Sequence, residues 1–343
     1  MSPSSSMSGP SASRRAEHND GRVLWPGCRR RACMKIAVFF VGTVQDDGFN
    51  ASALAGVEAA RARDLAMIEV VCGVPYDESA IDVALARAAK TADGVVFVGG
   101  QGNRAMPALA RAHPGKRFAI IQGDKQAANL SSYDVRQEES AFLAGCLAAR
   151  MTSTGCVGHL SGHRVVPGLK GRAAFAAGVR HAASDVALLT GFCGSQDDRS
   201  IAHQWAAAEI AAGADVIFTM LNAARPGATE ACRAAGVLQI GNALDWTRID
   251  PEVFVASAVA RIDRGVERAI EDMAAAAPQG EVHELGLREG PYSGLVLRSD
   301  VAEETRAEIE AISAAIRAGR IEIPTGFEGP EFTPEEATCG SSG

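Results

Sequence analysis

From residue 34 onward, short runs of apolar and β-branched residues alternate with longer stretches in which Ala and Leu recur every three to four positions. The runs Ile36–Val41, Ile68–Val71, Gly94–Val98, Phe118–Gln122, Val157–Leu160, Ala187–Thr190, Val216–Met220 and Leu238–Gly241 read as strands. The stretches Ala51–Arg63, Glu78–Lys90, Met106–Ala112, Glu138–Met151, Pro167–Ala182, Arg199–Ala212 and Ala228–Ala235 read as helices. Strands without a polar face must be covered on both sides, which predicts parallel sheets sandwiched by helices and wound by right-handed crossovers. The rhythm runs over about 34–124 and again over about 155–241, so the chain is expected to form two similar α/β lobes. Asn129–Val135 is the expected first crossing between them, and Gly241–Asp250 the second, followed by a helix over Pro251–Ala275. Residues 281–298 alternate like two short strands, and 301–318 like a polar-faced helix. These boundaries give lobe 1 as 34–130 plus 246–277, and lobe 2 as 131–245 plus 278–326.

The two ends differ in character. Residues 1–33 are rich in Ser and Arg and lack hydrophobic periodicity, so they are expected to be disordered. No apolar region of signal-peptide length follows their arginines, and no apolar run leads into Cys28 as a lipid anchor requires. Met34 is a candidate for the true start. Residues 327–343, acidic with Pro and Gly, are expected to be loose. The net charge of −7 comes from 34 basic and 41 acidic residues mixed along the chain, and the folded part has no basic stripe, which excludes nucleic acid as its partner. No stretch reaches the ~18 apolar residues of a membrane span. Eight cysteines lack Cys-x-x-Cys or Cys/His spacing, so no metal site is expected. Cys72, Cys146 and Cys232, set among Ala, Val and Leu, read as buried thiols.

Ligands of open parallel sheets sit beyond the carboxyl ends of the strands, so the loops there carry the chemistry. They hold Asp46, Asp47, Phe49 and Asn50 after the first strand, Gln101 after the third, and Gln122 and Asp124 after the fourth. In the second half they hold Gln196, Asn222, Asp245 and Trp246. Amides and carboxylates beside isolated aromatics suit a small polar molecule with a flat ring. Asp46 or Asp47 also reads as a helix cap. Gly99-Gly100-Gln101-Gly102 fails the dinucleotide spacing, so no cofactor is expected. His159 and His163 flank Leu-Ser-Gly without a nucleophile motif, and the default for both is structural.

The stretches Val44-Gln45-Asp46-Asp47-Gly48-Phe49-Asn50-Ala51 with Gly56, Gln137–Gly145, Thr154–Gly158, Gly213–Phe218 and Ile316–Ile321 together resemble the basic membrane protein family. Its members are ABC-transporter substrate-binding proteins and include purine nucleoside receptor lipoproteins. The resemblance covers about 34 to 324 and implies a type I periplasmic-binding-protein fold: two Rossmann-like lobes joined by a three-crossing hinge, with the ligand in the cleft. It implies nucleoside contacts from Asp47 (or Asp46), Phe49 and Asn50, and a ribose contact from Asp245. The sequence departs from the family pattern at Gln196, where an aromatic is usual, at Ala260 for a ribose-contacting Lys, and at Gln122 for an Asp.

The expected function is therefore capture of a nucleoside or nucleobase for uptake, with an ABC permease as possible partner. A cytoplasmic sensor using the same cleft is the alternative, and a nucleoside-processing enzyme the third. Family resemblance points to the periplasm or envelope and the missing leader pattern to the cytoplasm, and both remain open.

Overall fold

A computed structural model describes residues 34–334, so the expectations for 1–33 and for 335–343 lie outside the described residues. In chain order the elements are β1 (Lys35–Val41), α1 (Phe49–Ala62), β2 (Met67–Val74), α2 (Glu78–Thr91), β3 (Gly94–Val98), α3 (Gly102–Ala112), β4 (Arg117–Ile121) and β5 (Leu130–Val135). There follow α4 (Gln137–Met151), β6 (Cys156–Ser161), α5 (Val166–Ala182), β7 (Ala187–Phe192), α6 (Arg199–Ala211), β8 (Val216–Met220), α7 (Arg225–Ala235) and β9 (Leu238–Ala243). The last are α8 (Trp246–Ile249), β10 (Phe254–Ala260), α9 (Ile262–Ala274), β11 (Val282–Leu285), β12 (Ser293–Leu297) and α10 (Glu303–Arg317).

The strands form two six-stranded sheets of order β11-β5-β4-β3-β1-β2 and β12-β10-β9-β8-β6-β7. Every pairing is parallel except β10 with β12. Strand β3 is buried at all five residues, as a strand covered on both faces must be. In the first sheet α1 and α9 pack on one face and α2 and α3 on the other. Phe39 and Phe97 stack in the second of these layers, with ring centroids 5.1 Å apart. Truncating such a ring to Ala costs ~3–5 kcal/mol. The second sheet is covered by α4, α5 and α10 on one face and by α6 and α7 on the other. Helices α4 and α5 cross closely because Gly145 faces the Phe175 carbonyl and Gly178 the Phe142 carbonyl; a Cβ at either position would overlap backbone.

The three crossings fall later than the sequence pattern placed the first two. β5 pairs with β4 inside the first sheet, so residues 130–135 belong to lobe 1 rather than forming the crossing. β10 pairs with β9, so 254–260 is a strand of lobe 2 and the helix expected over 251–275 begins at Ile262. β11 joins β5, which returns 282–285 to lobe 1. The lobes are thus 34–135 with 262–285, and 137–260 with the segment from about 287 to 334. The chain crosses at Arg136, at Arg261 and over 286–292. The crossings bind one another: Arg136 N donates to the Leu285 carbonyl at 3.0 Å and Arg261 N to the Tyr292 carbonyl at 2.7 Å.

Two further expectations change. Residues 327–334 are not loose: Phe332 is buried, its N–H donates to the Thr190 carbonyl at 2.8 Å, and Phe327 lies against Arg172. Two apolar rings and a carboxylate that meets arginines dock the segment beside β7. Cys72 is exposed, because it lies near the end of the outermost strand of its sheet, whereas Cys146 and Cys232 are buried and burial pushes both thiols up to about 12.

Candidate functional site

The carboxyl ends of both sheets face one cleft. Its walls come from the segments that follow the strands: Val41 at the end of β1, Tyr76 after β2, Val98 to Gln101 after β3, His163 after β6, Gln196 after β7, Met220 and Asn222 at β8, and Asn242 in β9. Phe49, Asn50, Gln137 and the loop from Val165 to Gly168 complete a cavity of about 80 Å³.

The first loop explains much of this placement. The buried Asp46 carboxylate accepts from the backbone N–H groups of Gly48, Asn50 and Ala51 at 3.0, 3.0 and 2.8 Å, which anchors the start of α1. Burial nonetheless raises its carboxyl above the ordinary value, against those three bonds and the charge of Arg225. Asn50 donates to the carbonyls of Val41 and Thr43 at 2.9 and 2.8 Å, which leaves its Oδ1 as the atom able to receive a donor. The loop thereby holds Phe49 against the cavity at the start of the helix.

The lobes meet around the cleft. Tyr76 of lobe 1 and His163 of lobe 2 lie with ring centroids 5.0 Å apart. Burial and the charges of Asp197 and Asp46 push the Tyr76 phenol well above its usual value, so it stays a neutral donor. Phe49 N approaches Asn222 Oδ1 at 3.5 Å. Arg225, fully buried at the start of α7, donates to the Asp47 carbonyl at 2.9 Å, to the Leu221 carbonyl and to Asn242 Oδ1 at 2.6 Å. Its guanidinium lies 4.2 Å from the centre of the Trp246 ring. Burial lowers it to about 9, so it is charged at neutral pH.

Of the residues singled out from sequence, Phe49, Asn50, Gln101, Gln196 and Asn222 line the cavity together. The others do not. Asp46 caps α1 as described. Asp47, at φ 47°, is exposed and meets lobe 2 through its carbonyl rather than its carboxylate. Gln122, at φ 63°, is a strut: its amide donates to the Val135 carbonyl at 3.0 Å and accepts from Val135 N at 2.7 Å, tying β4 to β5. Asp124 is exposed and pairs with Lys125 at 2.9 Å. Asp245 accepts from Thr247 N and Oγ1 at 3.2 and 2.6 Å as the cap of α8, and faces a separate depression beside Arg298 and Arg306. Trp246 is buried, donates to the Asn242 carbonyl at 3.1 Å and packs on Phe254.

Of the two histidines, His159 is sealed between Phe175, Phe192 and Phe218, bonded to Thr190 Oγ1 at 2.8 Å and Ser161 Oγ at 3.1 Å. Burial holds it down at about 3, so it is a neutral core group out of reach of a ligand. Tyr76, Gln137 and Asn242 are polar cavity residues that the sequence reading did not single out as ligand contacts. The loop following the second strand, Pro75-Tyr76, carried the signal for the first.

A family model described as the Bmp, PnrA-like ABC transporter substrate-binding protein matches residues 33–326. Basic membrane protein A of Borreliella burgdorferi is 26% identical over 311 residues, covering 87% of this chain and 89% of the relative. An ABC transporter nucleoside-binding protein of Lactococcus lactis is 30% identical over 115 residues, a third of each chain. An ABC transporter solute-binding protein from Aeropyrum pernix superposes with a TM-score of 0.76 at 21% identity, over 86% of this chain and 94% of that one. The two parallel-dominated sheets joined by three crossings are the type I periplasmic-binding-protein architecture. Matched along nearly all of its described length, the chain belongs to the Bmp family of PnrA-like ABC transporter substrate-binding proteins.

Proposed function

We propose that the chain captures a nucleoside- or nucleobase-like molecule between its lobes and presents it to an ABC permease. The observation that supports this reading is the cavity itself. Strand-end loops of both lobes supply the phenyl face of Phe49 and six carboxamides, from Asn50, Gln101, Gln137, Gln196, Asn222 and Asn242. A ring with an apolar face and a hydrogen-bonding edge uses both kinds of wall. A ligand that touches both lobes binds the closed form better than the open one, and this difference in affinity is what drives the hinge toward closure. Nucleoside binding in the Lactococcus lactis relative's name agrees with this ligand class.

Calorimetric titration of the purified chain with a panel of nucleosides and free bases tests the proposal. Saturable one-to-one binding of any member supports it. Silence across the panel removes the ligand class while leaving the family membership in place.

A further inference from the structure

We infer that the preferred ligand is a neutral, planar heterocycle without a sugar, a free base rather than its nucleoside. This rests on the reading of the cleft given above and narrows it.

The first ground is charge. Among the described residues, the cavity wall contains neither a carboxylate nor a basic side chain other than His163. The carboxylates of the surrounding loops are engaged or point elsewhere: Asp46 on three backbone N–H groups, Asp124 on Lys125, Asp245 on Thr247. Asp197, beside the Tyr76–His163 pair, is exposed and outside the wall. Arg225 lies behind the wall, its two terminal nitrogens donating to Asp47, Leu221 and Asn242. A phosphate, carboxylate or ammonium brought into this cavity would lose its hydration without a counter-charge.

The second ground is the match of polar groups. A ribose diol offers two adjacent O–H donors, which an acceptor-only carboxylate satisfies well. Asn50 offers the cavity its Oδ1, while Gln101, Gln137 and Gln196 each carry both a donor and an acceptor, the pattern of a base edge on which N–H and C=O or ring nitrogen alternate. Gln196 Oε1 is sealed from solvent and has no hydrogen-bond partner among the described residues. A buried acceptor in that state is costly, and because Gln196 lines the cavity a turn of its amide toward a ring N–H or exocyclic amine would satisfy it. Gln196 thus places an amide, with its donor and acceptor, on this part of the wall.

The third ground is the shape of the wall. The carboxylate that the resemblance assigns to ribose, Asp245, is on a different surface from the cavity, and β9 presents Asn242 to it instead.

The test is calorimetry on the full chain, unfolded and refolded to strip co-purified molecules. The probes are adenine, hypoxanthine and uracil, each paired with adenosine, inosine or uridine. At least one base is expected to bind 30-fold or more tighter than its own nucleoside, and Gln196→Leu to weaken that base by tenfold or more with an unchanged melting temperature. A nucleoside that binds as tightly as its base, or a Gln196→Leu protein of full affinity, overturns the inference and leaves nucleoside capture standing. Silence for all six probes overturns this inference together with the proposed ligand class.

Discussion

The C-terminal segment offers the sharpest test of how lobe 2 is held. Glu331 receives hydrogen bonds from Arg164, one of them at 3.0 Å, and from Arg172. Arg172 is itself buried and lies between the rings of Phe192 and Phe327, 4.9 and 4.6 Å from their centres. The two guanidinium groups hold the Glu331 carboxyl at about 2, against an ordinary 4.5. Without solvent screening that depression would correspond to roughly 3 kcal/mol. Glu331 is 33% exposed and Arg164 53%, so solvent screening reduces this to about 1–1.5 kcal/mol. Replacing Glu331 by Gln also leaves the buried Arg172 without its anion, which brings the expected loss to about 2 kcal/mol. Because the folded value is depressed, the stabilisation is complete above pH 4.5 and fades as pH falls toward 2. Urea unfolding of the parent and Glu331→Gln at pH 7, 5 and 3.5 measures the difference. The midpoints should separate at pH 7 and 5 and begin to converge at 3.5. Equal midpoints at pH 7, or a gap that persists undiminished in acid, would refute the reasoning. Arg164 adjoins His163 of the cavity wall, so the same variant should also weaken ligand binding by a few-fold.

Three other outcomes are expected. Phe49→Ala removes the ring that the first loop holds against the cavity, and calorimetry should show affinity reduced about tenfold or more, of which stacking supplies ~1 kcal/mol. His159, held at about 3 by burial, makes stability fall as pH drops from 6.5 toward 3, and His159→Gln should flatten that limb of a pH-dependent melting curve. Glu209, fully buried with both carboxyl oxygens unpartnered among the described residues, has its carboxyl raised well above 4.5. Its contribution is least unfavourable below 4.5 and worsens as pH rises toward the folded value. Glu209→Met should therefore raise stability at pH 7 by ~1–2 kcal/mol in chemical denaturation.

Where the sequence reading succeeded, burial had erased ambiguity. β3 and β8 are apolar at nearly every position because helices cover both faces, so Gly94–Val98 and Val216–Met220 were legible to the residue. β5 was not. Leu130–Val135 reads Leu-Ser-Ser-Tyr-Asp-Val, yet all six residues are buried, its polar groups satisfied by partners outside the strand. Ser132 donates to the Lys125 carbonyl at 2.6 Å, Ser131 accepts from Gly280 N at 3.1 Å, and Asp134 pairs with Lys170 at 2.6 Å. β10 failed differently: Phe-Val-Ala-Ser-Ala-Val-Ala is Ala-rich and runs into α9, so local propensity favoured helix until pairing with β9 and β12 overrode it. In the site, sequence pointed to loops that line the cavity but could not tell a capping aspartate from a cavity-facing one. Asp46 and Asp245 both follow a strand and precede a helix, and both turn to that helix's N–H groups.

That division between capping carboxylates and lining amides bears on how the hinge works. Among the described residues two cations bridge the lobes, Arg225 to the Asp47 carbonyl and Lys170 to Asp134 at 2.6 Å, Lys170 also lying 3.8 Å from Glu138 of its own lobe. Each attraction formed on closure is offset by hydration the charge gives up, and the burial that lowers Arg225 to about 9 is the trace of that cost. On the function proposed above, such contacts would lock neither the open nor the closed state. On that same reading, the cavity amides tip the balance, because a matching donor would satisfy the unpartnered Gln196 Oε1 where water does not. A cavity of uncharged walls bordered by balanced charges is thus sensitive to the hydrogen-bond pattern of its occupant, the quantity a capture protein must read before it closes.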